Sequence, residues 1–261
     1  MASKDYGKRK ENNTKTLDKT CKMLYNYYRR LYDKGVGSVP KVFLGVGHGG
    51  TDSGAIGNGF KEKDLNLSIA LACNTILANH GVTVMMSRIK DENDTISEEI
   101  NECNAFEPDF AIDIHNNAGG GDGAECFYHH NGGKGKLLAE NVLNEIVKTG
   151  QNSRGIKTRV NSSGKDYYAF IRETIAPAII VECAFIDNET DIQVLNTQDK
   201  QYNMGVALAK GILRTLGIPF NYPKKLYKVQ VGAYEIKNNA IITQNILNSY
   251  GFNAIIVEST L

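Results

Sequence analysis

The 261-residue chain is predicted to be an α/β protein with a mostly parallel, twisted sheet covered by helices on both faces. Short apolar runs alternate with longer segments whose apolar residues recur every three or four positions, and this alternation is typical of strands and crossover helices. A hydrophobic content of 41% and a charged content of 23% are ordinary for a globular domain. The length allows one substantial α/β domain and a smaller unit.

The predicted elements follow one another in a regular order. The predicted strands are residues 41–46, 82–88, 110–115, 123–129 and 177–185. The predicted helices are residues 65–81, 97–106, 136–150 and 199–216. Ligands of such sheets bind beyond the carboxyl ends of the strands, so polar residues at those ends are the first candidates for a functional site.

Charge and composition divide the chain into four predicted parts. Residues 1–39 are a basic extension with ten Lys/Arg against four Asp/Glu, and residues 17–32 have the apolar stripe of an amphipathic helix. Such an extension suits an anionic partner such as a wall polymer or nucleic acid, or it is a solvated basic helix. Residues 40–217 form the catalytic domain, and residues 218–225 form a linker. Residues 226–261 have the pattern of a small βαβ unit, too small to bury a good core alone.

The cysteines and the apolar runs indicate the compartment in which the chain is made. Five cysteines, none in a CxxC pair, favour free thiols and a reducing site of synthesis over a disulfide framework. Cys183 adjoins Glu182 in a predicted strand, so its side chain should face the other side of the sheet. Residues 1–16 lack the apolar core of a secretory signal, and no apolar run approaches the length of a membrane span.

Two histidines and two glutamates at strand ends and a helix start are the candidate site. His48 lies in a glycine-rich turn after the first strand, Glu62 precedes a helix, His115 ends a strand and Glu182 lies in another. Two imidazoles and a carboxylate are a workable zinc shell with a fourth position left for water. The other carboxylate then serves as general base, a role that suits Glu182 because a carboxylate in an apolar strand is costly to bury as an anion.

Neighbouring polar residues receive subsidiary roles. Asn116 and Asn117 are predicted to bind an amide substrate or to orient the ligands. Asp113 alternates with His115 and could orient its imidazole. His129 is a spare ligand at the cleft. Arg172 is a candidate substrate-binding residue, and a Glu182–Arg172 salt bridge is the structural alternative for Glu182.

Three segments in the predicted catalytic domain resemble a known family. GHGGTDSGAIGNGFKEKDLNLSIA, IDIHNNA and FIRETIAPAIIVECAFIDN are similar to the zinc-dependent amidase-3 family of N-acetylmuramoyl-L-alanine amidases. The resemblance implies one Zn²⁺ held by His48, Glu62 and His115, with Glu182 as the catalytic residue. It also implies hydrolysis of the amide between N-acetylmuramic acid and L-alanine in peptidoglycan.

The C-terminal unit resembles a single repeat of the SPOR peptidoglycan-binding domain, which normally has two. A homodimer in which two chains pair their half-domains would complete the two-repeat SPOR domain. The resemblance implies a phage endolysin, which we favour, or a mother-cell autolysin. Either protein is made in the cytoplasm and reaches the wall after membrane failure. A non-catalytic wall-binding protein and another zinc amidohydrolase or peptidase are the alternatives, and a nucleic-acid partner is disfavoured.

Overall fold

The computed structural model describes residues 39–221, 231–249 and 254–258. The predicted helix at residues 17–32 lies outside the described residues. Strands are β1 Lys41–Val46, β2 Ile56–Gly57, β3 Phe60–Lys61, β4 Thr83–Met86, β5 Phe110–Asn117, β6 Ala124–Tyr128, β7 Ser153–Lys157 and β8 Ala178–Phe185. Helices are α1 Glu62–Asn79, α2 Ile96–Phe106, α3 Gly133–Val147, α4 Ala169–Glu173, α5 Gln198–Thr215 and α6 Lys237–Ser249, with a 3₁₀ turn at Asp191–Val194.

Six strands form one twisted sheet in the order β4-β1-β5-β8-β6-β7. Strands β4, β1, β5 and β8 are parallel to one another, whereas β6 is antiparallel to β8 and parallel to β7. The sheet is therefore mostly parallel, as predicted, with two strands running in the opposite direction. The carboxyl ends of β1, β5 and β8 share one edge with the amino ends of β6 and β7.

Helices cover both faces of this sheet because each strand presents apolar side chains to both sides. Helices α1, α3 and α5 pack over one face, on a core that includes Ile112, Val181 and Cys183. Helices α2 and α4 pack over the other face, on a smaller core that includes Phe43 and Ile180. The alternation of Ile180, Val181, Glu182 and Cys183 between the two faces is the period of two expected of a strand.

Local sequence explains how the helices begin and end. A capping box starts α2, in which the Thr95 hydroxyl accepts from the Glu98 N–H and the Glu98 carboxylate accepts from the Thr95 N–H. The Thr197 hydroxyl caps α5 in a similar way. After α1 the chain turns through Gly81, whose φ of 77° is easiest for glycine.

The C-terminal segment differs from the predicted strand–helix–strand pattern. Its helix is confirmed as α6. The first predicted strand, residues 227–234, lies partly outside the described residues, and residues 231–234 are not extended strand. Residues 254–258, where the second strand is predicted, are not assigned to a strand in the described part of the chain.

The cysteines that the structure describes are free thiols in the core. Cys73, Cys103, Cys126 and Cys183 are all buried, which confirms the prediction for these four. Cys183 faces the core under α1, α3 and α5, on the opposite side of β8 from Glu182. None of the helices within the described ranges is both long enough and apolar enough to cross a membrane.

Candidate metal centre and active site

His48 lies in the turn that follows β1. Its backbone has a φ of 63°, a left-handed conformation that few non-glycine residues adopt. Backbone hydrogen bonds in both directions between Gly49 and Asp52 close the turn. The Asp52 carboxylate lies 2.7 Å from His48 Nδ1, so it accepts the Nδ1–H and leaves Nε2 available to a metal.

Glu62 is the first residue of α1, and its carboxylate is buried. The backbone N–H of Ala55 donates to Oε2 at 3.0 Å, and that of Asn116 donates to Oε1 at 3.1 Å. Burial alone would raise the pKa of Glu62, but hydrogen bonds from His115 and His48 together with the backbone donor lower it below its usual value. Glu62 is therefore held as an anion between the two imidazoles.

His115 completes the group from the last part of β5. Its Nδ1 lies 3.0 Å from Glu62 Oε1, and its Nε2 lies 3.2 Å from Asp113 Oδ2. Burial would lower the pKa of His115, but the carboxylates of Asp113 and Glu62 raise it well above its usual value. Asp113 thus provides the orienting bond that the alternation along β5 predicts.

The donor atoms of His48, Glu62 and His115 lie within 4.8 Å of one another. His48 Nε2 is 3.2 Å from Glu62 Oε2, close to the separation of about 3.4 Å between ligands that bind tetrahedral zinc at about 2.1 Å. The two rings meet edge to face, with centroids 5.2 Å apart. Each imidazole also has a carboxylate on its other nitrogen, the arrangement typical of metal-bound histidine. The donor set fits zinc.

Glu182 lies beside this group on β8, directly opposite His115 of β5 in the strand register. Burial raises the pKa of Glu182 to about 7. The positive charge of His115 lowers this pKa, and the carboxylates of Glu62 and Asp113 raise it by smaller amounts. Its Oε2 is buried without a hydrogen-bond partner among the described residues. A half-buried carboxyl with a pKa near neutrality and a free oxygen is suited to accept and release a proton.

The two asparagines predicted to bind substrate have different surroundings. Asn116 points into the layer of α1, where its buried amide donates to Asn66 Oδ1 at 2.8 Å. Its side chain therefore supports α1 and does not join His115 and Glu182. Asn117 lies on the same side as His115, and its amide donates to Glu125 at 3.1 Å.

Arg172 and His129 are not brought to this site. His129 and His130 follow β6, whose end lies beside the start of β8 because the two strands are antiparallel. His129 Nε2 and His130 Nδ1 contact Asp166 Oδ2 at 2.9 and 2.7 Å. The Arg172 guanidinium contacts Glu173 at 2.7 Å, so the alternative Glu182–Arg172 ion pair is not formed.

That opposite edge also holds two cavities, of about 340 and 470 Å³. Both are lined by His129 and Arg172, and neither is lined by the donor group or Glu182.

Several supporting residues were missed by the sequence analysis. Arg88 is buried, and its guanidinium donates to the carbonyl oxygens of Val46, Gly47, Lys63 and Lys90. Glu99 is buried next to Asp113. Glu125 lies directly opposite Glu182 on β6. The sequence signal for Arg88 and Glu125 is a charged residue at or near the end of an apolar run, whereas Glu99 lies in a polar segment that gives no such signal.

The chain was compared with known families and proteins. The family model Amidase_3, N-acetylmuramoyl-L-alanine amidase, matches residues 42–214. The sporulation-specific N-acetylmuramoyl-L-alanine amidase of Bacillus subtilis (strain 168) is 33% identical over 221 residues, covering 83% of this chain and 84% of the relative. The endolysin of Bacillus phage SPP1 is 31% identical over 186 residues, covering 68% of this chain and 66% of the relative.

Solved structures share the fold. Cwp6 from Clostridium difficile superposes with a TM-score of 0.67 at 39% identity, covering 70% of this chain and 30% of that protein. The amidase AmiC2 of Nostoc punctiforme superposes with a TM-score of 0.63 at 29% identity, covering 69% of this chain and 99% of that protein.

Proposed function

The chain belongs to the amidase-3 family of N-acetylmuramoyl-L-alanine amidases, and on that premise we propose that His48, Glu62 and His115 hold one zinc ion and that Glu182 is the general base. The enzyme acts on peptidoglycan, at the amide between N-acetylmuramic acid and L-alanine. The observation that supports the site assignment most is the convergence of three donor atoms within 4.8 Å next to a carboxyl whose pKa is about 7.

His48, Glu62 and His115 would hold the zinc ion, which would supply Lewis acidity to polarise the scissile carbonyl and to make water more acidic. Glu182 accepts the proton of the attacking water through its unpartnered oxygen. The same carboxyl then delivers that proton to the nitrogen of L-alanine as the C–N bond breaks. Asp52 and Asp113 keep His48 and His115 oriented, and the two backbone donors keep Glu62 in place.

Glu182→Gln and His115→Ala separate metal binding from proton transfer. Glu182→Gln should bind one zinc per chain while losing about 10²–10⁴-fold in turnover on purified peptidoglycan, as expected when a general base is removed. His115→Ala should lose both the metal and the activity. Glu140→Gln, an exposed change in α3, is the matched control and should change neither quantity.

Metal content is measured by elemental analysis, and activity by loss of turbidity with appearance of new L-alanine N-termini. Chelation should abolish clearing, and added zinc should restore it. Substantial activity in Glu182→Gln would move the base to another residue, and stoichiometric zinc in His115→Ala would remove His115 from the ligand set.

We further propose that residues 226–261 are a half-size SPOR-like peptidoglycan-binding repeat that pairs with its copy in a homodimer. Exposed apolar side chains in the described part of this segment support the pairing, since Ile242, Ile255 and Val257 have exposed fractions of 51%, 69% and 61%.

Light scattering of the full chain and of a chain lacking residues 226–261 tests the dimer, and a pull-down on insoluble peptidoglycan tests wall binding. We expect a dimer and strong retention for the full chain, and a monomer with weaker retention for the shortened one. A full chain that is monomeric at micromolar concentration would exclude the pairing, and unchanged retention would exclude the binding role.

We propose the cellular setting from the sporulation and endolysin relatives. The enzyme is made in the cytoplasm and reaches the wall when the membrane fails, in phage lysis or mother-cell lysis. A fusion of residues 1–39 to a reporter that is active only outside the cytoplasm should stay inactive. An active, exported reporter would overturn this setting.

A further inference from the structure

A row of polar side chains crosses the sheet from the donor group toward β7. Glu182 of β8 lies opposite His115 of β5 on one side and opposite Glu125 of β6 on the other. Residues directly opposite in neighbouring strands place their side chains on the same face. His115, Glu182 and Glu125 therefore lie side by side on one face of the sheet.

Glu125 is almost fully buried but is paired with two exposed cations. Its carboxylate accepts from Arg154 Nε at 2.7 Å and from the Lys157 ammonium group. The side chain of Glu125 is 6% exposed, whereas those of Arg154 and Lys157 are 37% and 35% exposed. One anion and two cations leave an excess positive charge, and the cations retain donors that face solvent.

Arg154 is held in a defined position by its contacts with Glu125 and Phe185. Its guanidinium carbon lies 4.9 Å from the centroid of the Phe185 ring, a cation–π contact. Phe185 follows Glu182 by three residues in the same strand. The nearby Asp122 carboxylate accepts from Asn152 at 2.8 Å. A partly exposed guanidinium fixed on an aromatic ring and a buried carboxylate loses little freedom when it binds another anion.

We propose that Arg154 and Lys157, held by Glu125, form a subsite for a carboxylate of the peptide stem, on the leaving-group side of the scissile amide. This inference rests on the proposed function of Glu182 and the donor group. Neighbouring strands are about 4.8 Å apart and an extended peptide advances about 3.3 Å per residue. Arg154 and Lys157, which contact Glu125 of β6, thus lie one to two peptide residues beyond the scissile amide. At that distance the stem carries the glutamate that follows L-alanine.

Two muramoyl dipeptides that differ by one charge test the subsite. The substrates are N-acetylmuramoyl-L-alanyl-D-glutamate and the same compound with its α-carboxyl amidated, each cleaved by the zinc-loaded full chain. One charge-assisted hydrogen bond in a partly exposed site predicts about tenfold lower KM for the acid than for the amide, with similar kcat. The KM ratio is the readout, because a general loss of structure or of base strength affects both substrates.

Arg154→Gln and Lys157→Gln should each reduce the ratio toward unity by raising KM for the acid alone. Arg154→Lys should retain part of the preference, and Lys134→Gln, which lies at the opposite edge, should retain all of it. Circular dichroism and zinc content confirm that each variant is folded and loaded. A native enzyme with equal KM for the two substrates, or a preference that survives both glutamine variants, would overturn the subsite. Failure of the native enzyme to cleave either compound or peptidoglycan would instead contradict the proposed function.

Discussion

Glycine at position 47 determines whether the His115 ring can reach Glu62. A Cβ added at Gly47 would lie 2.2 Å from His115 Cε1 and 2.5 Å from Nε2, and such distances do not occur between a real Cβ and a ring. Gly54 has a similar role next to the His48 ring, because a Cβ added at Gly54 would lie 2.6 Å from His48 Cδ2. Two positions without side chains therefore provide the space in which the imidazoles and the carboxylate converge.

Gly47→Ala should displace the His115 ring and reduce zinc affinity by about 10–100-fold, the loss typical of a misplaced ligand. Zinc affinity is measured by competition with a chromogenic chelator. Gly135→Ala is the control, since a Cβ there would meet only the Ala178 carbonyl oxygen at 3.4 Å. It should keep full affinity. Equal zinc affinities for Gly47→Ala and the native chain would show that the ring position tolerates the methyl group.

Glu99 and Asp113 are two buried carboxyl groups close to each other in the layer below the donor group. Glu99 Oε1 and Asp113 Oδ1 lie 1.8 and 2.9 Å from the point where Gly45 would carry a Cβ, and neither oxygen has a hydrogen-bond partner among the described residues. Burial raises the pKa of Glu99 well above its usual value, and the neighbouring Asp113 raises it further. Burial and the neighbouring Asp113 carboxyl group thus favour the protonated form of Glu99.

Glu99→Gln should stabilise the protein at neutral and higher pH, because native Glu99 retains a proton that the unfolded chain releases above about pH 4.5. The stability linked to this proton is fully present below the unfolded pKa and is lost as the pH rises through the folded pKa. The difference in unfolding free energy between Glu99→Gln and the native chain should thus grow as the pH rises above the pKa of unfolded Glu99, and should become constant above the pKa of folded Glu99. Urea unfolding at several pH values measures it. A difference that is constant with pH would mean that native Glu99 is ionised.

The turn between β1 and α1 is held by one arginine. Arg88 follows β4 and donates to the carbonyl oxygens of Val46 at 3.0 Å and Lys63 at 2.7 Å. It thereby connects the end of β1 to the first turn of α1, which are the two segments that carry His48 and Glu62. The Lys63 ammonium adds a second connection by donating to the Gly50 carbonyl oxygen at 2.8 Å.

Arg88→Met should destabilise the fold by about 2–4 kcal/mol, because it leaves several buried carbonyl groups without donors. It should also weaken zinc binding, since the His48 turn loses its support. Lys90→Met removes an exposed ion pair with Glu92 and should cost about 0–1 kcal/mol. Chemical denaturation compares the two variants. Similar unfolding free energies for both would show that water replaces Arg88 at these carbonyls.

Strand direction explains which parts of the site could be predicted from the sequence. The sequence predicts that His48 and His115 follow neighbouring strands, and because β1 and β5 are parallel, the carboxyl ends of these strands meet at one edge of the sheet. His129 was assigned to the same cleft on the assumption that β6 runs the same way, but β6 is antiparallel to β8. Arg172 precedes β8 and therefore lies at that strand's opposite end. Hydrophobic patterns predict that a strand exists and do not encode its direction.

The supporting contacts were less predictable than the donor group. Asp113 could be identified because it shares a strand face with His115. Glu125 and Glu99 could not be identified from the sequence. The role of Glu125 depends on the register between β6 and β8, and that of Glu99 depends on the position of α2. Both features bring together residues that are far apart in sequence. The short strand β7 was also missed, because its sequence SRGIK is polar and gives only a weak strand pattern.

At the scale of the whole molecule, the donor group joins three segments that are far apart in sequence. His48 follows β1, Glu62 begins α1 and His115 belongs to β5. These segments belong to a central strand pair and to the helix that packs over it. A ligand that binds all three only when they are folded together must stabilise the entire domain and not just one loop.

Zinc should therefore raise the unfolding temperature of the full chain. A free metal concentration about a thousandfold above the dissociation constant adds about 4 kcal/mol, equivalent to roughly 10 °C for a domain of this size. Differential scanning calorimetry of chelated and zinc-loaded protein measures the shift. Glu182→Gln should keep the whole shift, because it changes the base and leaves the three donors intact, whereas His115→Ala should lose it. An equal shift in His115→Ala and the native chain would place the stabilising metal at other residues, for which the His129, His130 and Asp166 group at the opposite edge would be the first candidate.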